Sequence, residues 1–341
     1  MRRIVPAALA VALALSALSC SRLPDGLYAR IETTKGPVVA WLEYEKAPLT
    51  VTNFVGLAEG TLDAAEGTPF YDGLSFHRVV PDFIVQGGDP AGDGTGDAGY
   101  YFPNEIHPDL THDRPGTLGM ANAAPDYNGS QFYITLGASD DIASSLDGSY
   151  SVFGHVVSGM NAVKALEEGD RIESVRIERV GAAAQAFSAT QADWQRLYEP
   201  ALAALRERKT KQRQVAIATI KDLWPNLKER PDGILEEVLE EGSGPVLRRF
   251  WLVNLAYKGM LPNGQVFDES DFHGGPIEFE LGAGQFNIMG VELVLLEMKK
   301  GEKRRVAIPP EYGYGPMSAA GGLIPANSYL IFELEVTGYT E

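Results

Sequence analysis

The sequence predicts a multidomain, mainly β protein whose domains are joined by a helical segment. The chain has 341 residues, a length that corresponds to two domains, with three as the alternative. Its 37 glycines and 21 prolines favour loop-rich β domains over helix bundles. Residues 190–230, in contrast, contain no glycine and are rich in residues that favour helices.

Charge and cysteine content exclude several classes of function. The formal net charge of −17 opposes binding to the phosphates that dominate affinity for nucleic acids. The single cysteine, Cys20, excludes an internal disulfide framework, a zinc cluster of cysteines and a Cys-x-x-Cys redox pair. We divide the chain into a leader (1–20), a short tether (21–26), a first domain (27–181), a basic helical linker (182–231) and a second domain (232–341).

The leader has the pattern of an export signal. Arg2 and Arg3 precede an apolar run from Ile4 to Leu18, and Ser19 and Cys20 follow that run. A basic start, a short apolar stretch and small residues before a cleavage point are typical of secretory signals. The position of Cys20 resembles that of the lipidated cysteine in bacterial lipoproteins, and a plain secretory signal is the alternative. We therefore expect an exported protein, lipid-anchored to a bacterial membrane and facing the periplasm or cell surface.

Local sequence patterns predict several strands and helices in the first domain and in the linker. Residues 28–34 and 38–44 alternate in polarity around a turn at residues 35–37, which predicts a hairpin. Pro48 and Gly60 bound a predicted helix. Pro81 separates two predicted strands. In the linker we predict two helices, with Pro200 beginning or kinking one of them.

Three segments of the first domain carry polar and aromatic residues in a fixed order. They are residues 76–89 (FHRVVPDFIVQGGD), 119–134 (GMANAAPDYNGSQFYI) and 146–154 (LDGSYSVFG). In sequence and spacing, they resemble the cyclophilin family of peptidyl-prolyl isomerases over residues 27–181. The resemblance implies a closed antiparallel β-barrel of eight strands, two capping helices and an active site on an outer groove. The second capping helix would be residues 160–168.

The resemblance also implies a role for individual residues. Arg78 would direct its guanidinium at the prolyl nitrogen, and it would act with the catalytic residues Phe83, Gln86, Asn122 and Gln131. The substrate-binding residues would be Ile84, Gly94, Ala121, Ala123, Tyr133, Leu146 and Tyr150. The sequence has Ser145 before Leu146, where eukaryotic members often have tryptophan. Together with Tyr150 and Tyr133, this predicts weak binding of cyclosporin.

The second domain carries a different set of motifs. They are residues 257–268 (YKGMLPNGQVFD), 276–282 (PIEFELG) and 309–315 (PPEYGYG). They resemble the FK-binding protein (FKBP) family, a second class of prolyl isomerases, over residues 232–341. The resemblance implies an α+β fold in which an antiparallel sheet wraps round one short helix, with a proline-binding cup between them. Catalytic roles would fall to Tyr257, Asp268 and Tyr314, and substrate binding to Phe267, Ile277, Ile288, Val291, Ile324 and Phe332.

One cup position departs from the family pattern. The floor residue, usually tryptophan, is Val291, and one extra residue lies between Gly282 and Gly290. A valine buries far less area than a tryptophan, so we expect a wide cup with weak binding of rapamycin-type ligands. The resemblance implies no cofactor and no metal.

The two resemblances together predict a dual-family prolyl isomerase that acts on proline-containing, unfolded or exported polypeptides. The alternative is a chaperone or docking module that binds unfolded chains, with catalysis weak or absent in the second domain. Two weaker motifs are set aside. The Gly-x-Gly-x-x-Gly pattern at residues 94–99 opens no helix, so it does not predict a nucleotide site. His107, His112 and Asp113 lie in a proline-bounded loop, so they do not predict a metal site.

Overall fold

The computed structural model describes residues 23–286 and 288–341. The predicted signal and Cys20 therefore lie outside the described residues. Within these ranges, no helix combines the length and the apolar character needed to cross a bilayer.

Residues 26–180 form an antiparallel sheet of eight strands, here called the barrel. The strands are β1 (Gly26–Thr33), β2 (Gly36–Leu42), β3 (Arg78–Val80), β4 (Ile84–Gly87), β5 (Thr117–Met120), β6 (Phe132–Thr135), β7 (Val152–Ser158) and β8 (Ile172–Val180). Their spatial order is β3-β4-β6-β5-β7-β2-β1-β8. Backbone hydrogen bonds join the segment that precedes β3 to the start of β8. The Gly73 amide donates to the Ile172 carbonyl (2.7 Å), and the Ile172 amide donates to the Leu74 carbonyl (2.8 Å).

Three helices cover or border the barrel: α1 (Pro48–Glu59), α2 (Asp140–Leu146) and α3 (Met160–Ala165). Helix α1 begins at Pro48 and ends at Gly60, which takes the left-handed conformation (φ 74°), as predicted. Helix α3 ends at Ala165 rather than at residue 168, and α2 was not predicted. Ten residues of α1 are buried, so this helix supplies one wall of the barrel core.

Aromatic side chains fill the centre of that core. The ring of Phe54, on α1, lies 5.0 Å from the ring of Tyr71, 5.4 Å from that of Phe132 and 5.2 Å from that of Phe153. All four side chains are inaccessible to solvent. The site strands β4 and β6 therefore rest on a densely packed interior, which favours fixed side-chain positions at the surface.

The linker contains one long helix where the sequence predicted two. Helix α4 (Ala182–Ala186) is short, and α5 runs unbroken over Gln191–Leu223 with Pro200 inside it. A capping box between Thr190 and Asp193 begins α5. Trp194 lies in the barrel core, and its ring stacks on Tyr198 at 4.5 Å.

The other end of α5 packs on the second half of the protein. Ile220 is inaccessible to solvent and contacts a cluster that includes Leu235, Ala307 and Ile331. Helix α5 is thus buried in part against both halves. This packing compensates for the backbone hydrogen bond that Pro200 removes.

The C-terminal half, here called the sheet domain, is an antiparallel sheet over one short helix, α6 (Met289–Leu295). Its strands are β9 (Lys228–Glu229), β10 (Leu235–Glu240), β11 (Ser243–Val246), β12 (Leu252–Met260), β13 (Val266–Glu269), β14 (Ile277–Glu280), β15 (Lys299–Lys300), β16 (Lys303–Ile308) and β17 (Leu330–Thr340). The main order is β13-β12-β17-β16-β10-β9, with β14 also paired to β12 and a separate pair of β11 and β15. Together with the barrel, this confirms the predicted mainly β, multidomain fold.

A buried ion pair lies at the edge of the sheet-domain core. The Arg304 guanidinium donates to Glu302 Oε1 through Nε (2.9 Å) and Nη2 (2.5 Å), and Nη1 donates to Glu236 Oε2 (2.9 Å). The side chains of Arg304 and Glu302 are 9% and 4% exposed. Each charge therefore depends on the other to compensate for the loss of its water.

Candidate active sites

A cluster of apolar side chains, here called the slot, lies beside β4 and β6. Ile84, Tyr133 and Leu146 are buried there, and five half-buried side chains pack against them: Val80, Phe83, Ala121, Ile142 and Tyr150. The slot thus brings together six residues that the sequence predicted for the site. Val80 and Ile142 were not predicted.

A row of hydrogen-bonded polar side chains borders this slot. Arg78 Nη1 donates to Gln86 Oε1 (3.2 Å), and Gln86 Nε2 donates to Gln131 Oε1 (2.8 Å). Gln131 Nε2 in turn donates to the carbonyl oxygens of Gly94 (3.1 Å) and Gly96 (2.7 Å). Arg78 is exposed at the start of β3. Its guanidinium is therefore oriented by Gln86 and still open to a ligand.

The loop whose carbonyl oxygens accept hydrogen bonds from Gln131 is held in place by the buried carboxylate of Asp89. Asp89 is 1% exposed, and it accepts hydrogen bonds from the amides of Ala91 (2.8 Å), Asp93 (3.0 Å) and Gly94 (2.5 Å). Sequence reasoning did not identify Asp89 as a site residue. Its partners two to five residues away form a compact turn, which fixes the loop against Gln131.

A cavity of about 190 Å³, here called the barrel cavity, continues from the polar row. Ala121, Asn122 and Ala123 lie along it, with Gly94, Gln131 and Tyr127. Asn122 Nδ2 donates to Asn128 Oδ1 at 3.0 Å, which leaves its amide oxygen available to a ligand. All the predicted site residues of the first domain therefore lie in the slot, the polar row or the barrel cavity.

The Tyr133 side chain is hydrogen-bonded to His112, a buried histidine that the sequence analysis set aside. The Tyr133 hydroxyl lies 2.7 Å from His112 Nε2, and His112 Nδ1 lies 2.6 Å from Asp147 Oδ1. His112 is inaccessible to solvent. Because Asp147 accepts the proton of Nδ1, Nε2 accepts the hydrogen bond of the tyrosine. Burial raises the Tyr133 pKa well above its ordinary value, so the hydroxyl remains a donor.

We expect the substitution Tyr133→Phe to lower the free energy of unfolding of the barrel by roughly 1–3 kcal/mol, because it leaves His112 Nε2 buried without a donor. Chemical denaturation measures this loss. Tyr150→Phe, a half-buried tyrosine of the same slot, is the matched control and should cost less. Equal stability of Tyr133→Phe and the wild type would contradict the inferred bond to His112.

Three histidines predict how barrel stability depends on pH. Burial is the largest effect on each, and it lowers the pKa of His77, His112 and His155. The unfolded chain therefore binds protons at a higher pH than the folded barrel does. The neutral histidines contribute their full stabilisation above the pKa of a histidine in the unfolded chain, which is about 6.5. This contribution is lost as the pH falls from there towards the lower histidine pKa values of the folded barrel.

We therefore expect the melting temperature of the barrel to fall between about pH 7.5 and pH 5.5, before most carboxylates titrate. Calorimetry at several pH values in this window measures the change. A melting temperature that rises or stays constant on acidification would contradict the sign derived from these three groups.

A second site lies in the sheet domain, in a cup of about 350 Å³. Its lining includes seven predicted residues: Tyr257, Phe267, Asp268, Ile277, Ile288, Tyr314 and Phe332. Gly259, on β12, has no side chain and therefore leaves room for the rings of Phe267 and Phe332. A Cβ atom there would lie 2.7 Å from the Phe267 ring and 3.0 Å from the Phe332 ring.

The acidic residue of the cup has two side-chain partners. The Tyr257 hydroxyl donates to Asp268 Oδ2 (2.7 Å), and His273 Nε2 lies 2.8 Å from Asp268 Oδ1. Burial, followed by the hydrogen bond to Asp268, raises the Tyr257 pKa. Burial also raises the Tyr314 pKa, and Asp268 adds to that shift. Both hydroxyls therefore stay protonated. The Tyr257 hydroxyl donates to Asp268, which leaves the Tyr314 hydroxyl as the donor for a ligand.

The structure corrects two cup assignments and adds one. Val291 and Ile324 are 0% and 1% exposed and belong to the core of the sheet domain, and neither lines the cup. Phe286 lines it instead, with its ring 5.7 Å from Tyr257 and 6.4 Å from Phe332. Phe286 lies in the segment with the extra residue, so its approach to the cup could not be derived from the family spacing.

No group of three or more His, Cys, Asp or Glu side chains in the described ranges is arranged to hold a metal ion. What the two sites share is an apolar pocket with hydrogen-bond donors at its edge. Such a pocket can accept a small apolar ring and polarise the amide next to it.

Comparison with known proteins assigns both halves. The family model described as cyclophilin type peptidyl-prolyl cis-trans isomerase matches residues 28–182, and the model for FKBP-type peptidyl-prolyl cis-trans isomerase matches residues 249–337. Peptidyl-prolyl cis-trans isomerase A of Mycobacterium tuberculosis is 47% identical over 136 residues, which are 38% of this chain and 72% of that protein.

Two further proteins show similarity to one half each. Peptidyl-prolyl cis-trans isomerase ppi1 of Schizosaccharomyces pombe is 45% identical over 139 residues, 40% of this chain and 82% of the relative. The crystal structure of AtFKBP13 is 35% identical, with a TM-score of 0.32, and covers 33% of this chain and 98% of its own. The chain is thus a peptidyl-prolyl cis-trans isomerase that belongs to the cyclophilin family and carries an FKBP-type domain in its C-terminal third.

Proposed function

We propose that this isomerase acts on proline-containing segments of exported polypeptides, with the slot of the barrel as its main catalytic site. The observation that carries this is the position of Arg78. An exposed guanidinium, oriented by Gln86, lies beside an apolar slot lined by Ile84 and Tyr133. The cup of the sheet domain is the second proline site of the same chain.

The slot acts by changing the electronic structure of the amide. Rotation about an X–Pro bond has a barrier of about 18–20 kcal/mol because the amide has partial double-bond character. The apolar slot holds the proline ring, and Arg78 donates towards the prolyl nitrogen. That contact localises the nitrogen lone pair and favours the twisted amide over either planar form. Arginine suits this role because it remains charged and its donors are rigidly arranged.

The cup acts mainly by removing water from the amide. The twisted state is less polar than the planar forms, so a dry aromatic pocket favours it. Tyr314 would donate to the carbonyl oxygen of the substrate, and Asp268 would fix Tyr257. Phe286 narrows the cup that Val291 was expected to leave wide. The alternative for this half is the binding of unfolded chains without catalysis.

An isomerisation assay on proline tetrapeptides tests both sites in the full chain. Arg78→Ala inactivates the slot in this proposal, and Phe286→Arg puts a cation into the cup. Turnover that survives Arg78→Ala and disappears in the double variant would assign catalysis to the cup. If Phe286→Arg leaves turnover unchanged but weakens the binding of an unfolded polypeptide, the sheet domain is a binding module.

Export and anchoring are supported by the pattern of residues 2–20. We propose that Cys20 carries the lipid and that clients are met outside the cytoplasm. Cys20→Ser should release the protein from membranes without detergent, while the wild type fractionates with them. A wild-type protein that is recovered in the soluble fraction would contradict the anchor and leave the plain secretory signal.

A further inference from the structure

A third cavity lies between the two halves, along helix α5. It has a volume of about 420 Å³, and we call it the interdomain groove. The barrel contributes Tyr127, and helix α5 contributes four polar residues and Ala216. The sheet domain contributes the rest, and the full lining is Tyr127, Lys209, Thr210, Gln212, Arg213, Ala216, Pro310, Glu311, Gly315, Pro316, Asn327 and Tyr329.

The lining of the groove adjoins that of the barrel cavity and that of the cup. Tyr127 lines the barrel cavity on one side and the interdomain groove on the other. At the other end, Tyr314 lines the cup, and the next residue, Gly315, lines the groove. The Asn327 amide donates to the Gly315 carbonyl at 2.8 Å, which fixes this loop. The groove therefore has lining residues next to those of both sites.

Ion pairs hold the walls of the groove in place. Arg208, on α5, donates to Asp126 Oδ2 of the barrel at 2.7 Å. Arg213 lies 3.1 Å from Glu229 and 3.5 Å from Glu311 of the sheet domain. Because both halves are tied to the same helix, the groove is a preformed feature of the fold, and a ligand does not have to assemble it.

One buried group inside the groove points to a ligand. Tyr329 is 3% exposed, yet among the described residues its hydroxyl has no hydrogen-bond partner. Burial raises its pKa to about 12, so the hydroxyl remains a donor. A buried donor without an acceptor destabilises the fold. The carbonyl oxygen of an extended polypeptide would supply the acceptor.

The remaining lining also fits a polypeptide. Thr210, Gln212 and Asn327 offer neutral hydrogen-bonding groups, and Pro310 and Pro316 offer apolar contact. These neutral polar groups beside small apolar surfaces suit a peptide backbone of any sequence. The lining also contains the charged residues Lys209, Arg213 and Glu311. Arg213 is paired with Glu229 and Glu311, so the groove does not present the set of unpaired cations that binding to phosphate-bearing ligands uses.

We propose that the interdomain groove binds the backbone of an extended polypeptide whose flanking segments occupy the slot and the cup. This inference rests on the proposed function, since the same client chain fills all three places. Binding at two linked sites makes the second event intramolecular and raises the affinity without a new active-site contact. The groove would also keep the intervening segment from folding back while both prolines are held.

The test uses a labelled, disordered peptide of about 30 residues with an Ala-Pro segment near each end, which reaches roughly 100 Å when extended. Fluorescence anisotropy compares it with two short peptides that carry one Ala-Pro segment each. We expect the long peptide to bind the full chain about tenfold or more tightly than either short one. Thr210→Trp, which fills the groove, and Tyr329→Phe, which removes its donor, should each reduce this advantage.

Ala218→Trp is the matched control, since Ala218 is an exposed residue of α5 that does not line the groove. It should retain the full advantage, and all three variants should keep wild-type tetrapeptide turnover. If turnover is normal but the long peptide gains nothing, the groove proposal is wrong. Absent turnover in the wild type would instead contradict the proposed function. Loss of self-association in Thr210→Trp, with unchanged peptide affinity, would assign the groove to a second copy of the chain and overturn the proposal.

Discussion

The substitution Arg78→Ala should lower the isomerase activity of the barrel on the order of 10²- to 10³-fold, the usual effect of removing one donor aimed at a transition state. Arg78 is exposed and contacts Gln86 at 3.2 Å, so its loss opens no cavity. Surface changes of this kind alter the free energy of unfolding by about 0.5 kcal/mol or less. Activity should therefore fall while the melting temperature stays nearly constant.

This measurement is made in a chain that also carries Phe286→Arg, so that the cup adds no turnover. Arg78→Lys keeps the charge but not the planar set of donors, and it should give an intermediate rate. Arg114→Ala, an exposed arginine of the barrel that pairs with Asp113 at 2.9 Å, is the control and should be fully active. A fully active Arg78→Ala variant would remove Arg78 from the mechanism.

Arg304→Met should destabilise the sheet domain by roughly 3–5 kcal/mol, because it leaves the Glu302 carboxylate buried without its partner. Glu302 would keep the Lys299 amide, which donates at 3.0 Å, but it would lose the neighbouring cation. Calorimetry should show a lower melting transition for the sheet domain. The barrel transition and its isomerase activity should be unchanged.

Two further variants show whether this loss comes from the buried charge. Glu302→Leu combined with Arg304→Met removes both ions, and it should recover most of the stability because apolar residues of similar size can replace a buried pair. Arg305→Met is the matched control. Arg305 pairs with Glu333 and Glu237 at side chains that are 18–28% exposed, so its loss should cost about 1 kcal/mol. A double variant no more stable than Arg304→Met would contradict the argument.

Much of the first site could be predicted because its residues belong to contiguous motifs. Arg78, Phe83 and Gln86 lie on one hairpin, and the register that pairs Arg78 with Gln86 follows from two short strands around a turn. His112 could not be placed in the same way. Its partners Tyr133 and Asp147 are 21 and 35 residues away, and no local pattern indicates which distant side chains meet in a core.

The predictions made from the sequence differ from the structure at α5 and at part of the cup, for different physical reasons. Pro200 suggested a helix boundary because proline interrupts helices, but packing against two cores outweighs that local cost. At the cup, one inserted residue changes the spacing of the segment between Gly282 and Gly290 relative to the family pattern. Val291 consequently lies in the core, and Phe286 lies in the cup.

The burial of both ends of α5 has a consequence for how the protein is made. During synthesis the barrel emerges first, but it lacks Trp194 until the start of this helix follows. The last turns of the same helix then wait for β10, β16 and β17 to form the surface on which Ile220 packs. Cooperative opening units in native proteins tend to follow such packed clusters. Amide hydrogen exchange should therefore divide α5 in two, with its first turns protected like the barrel and its last turns like the sheet domain.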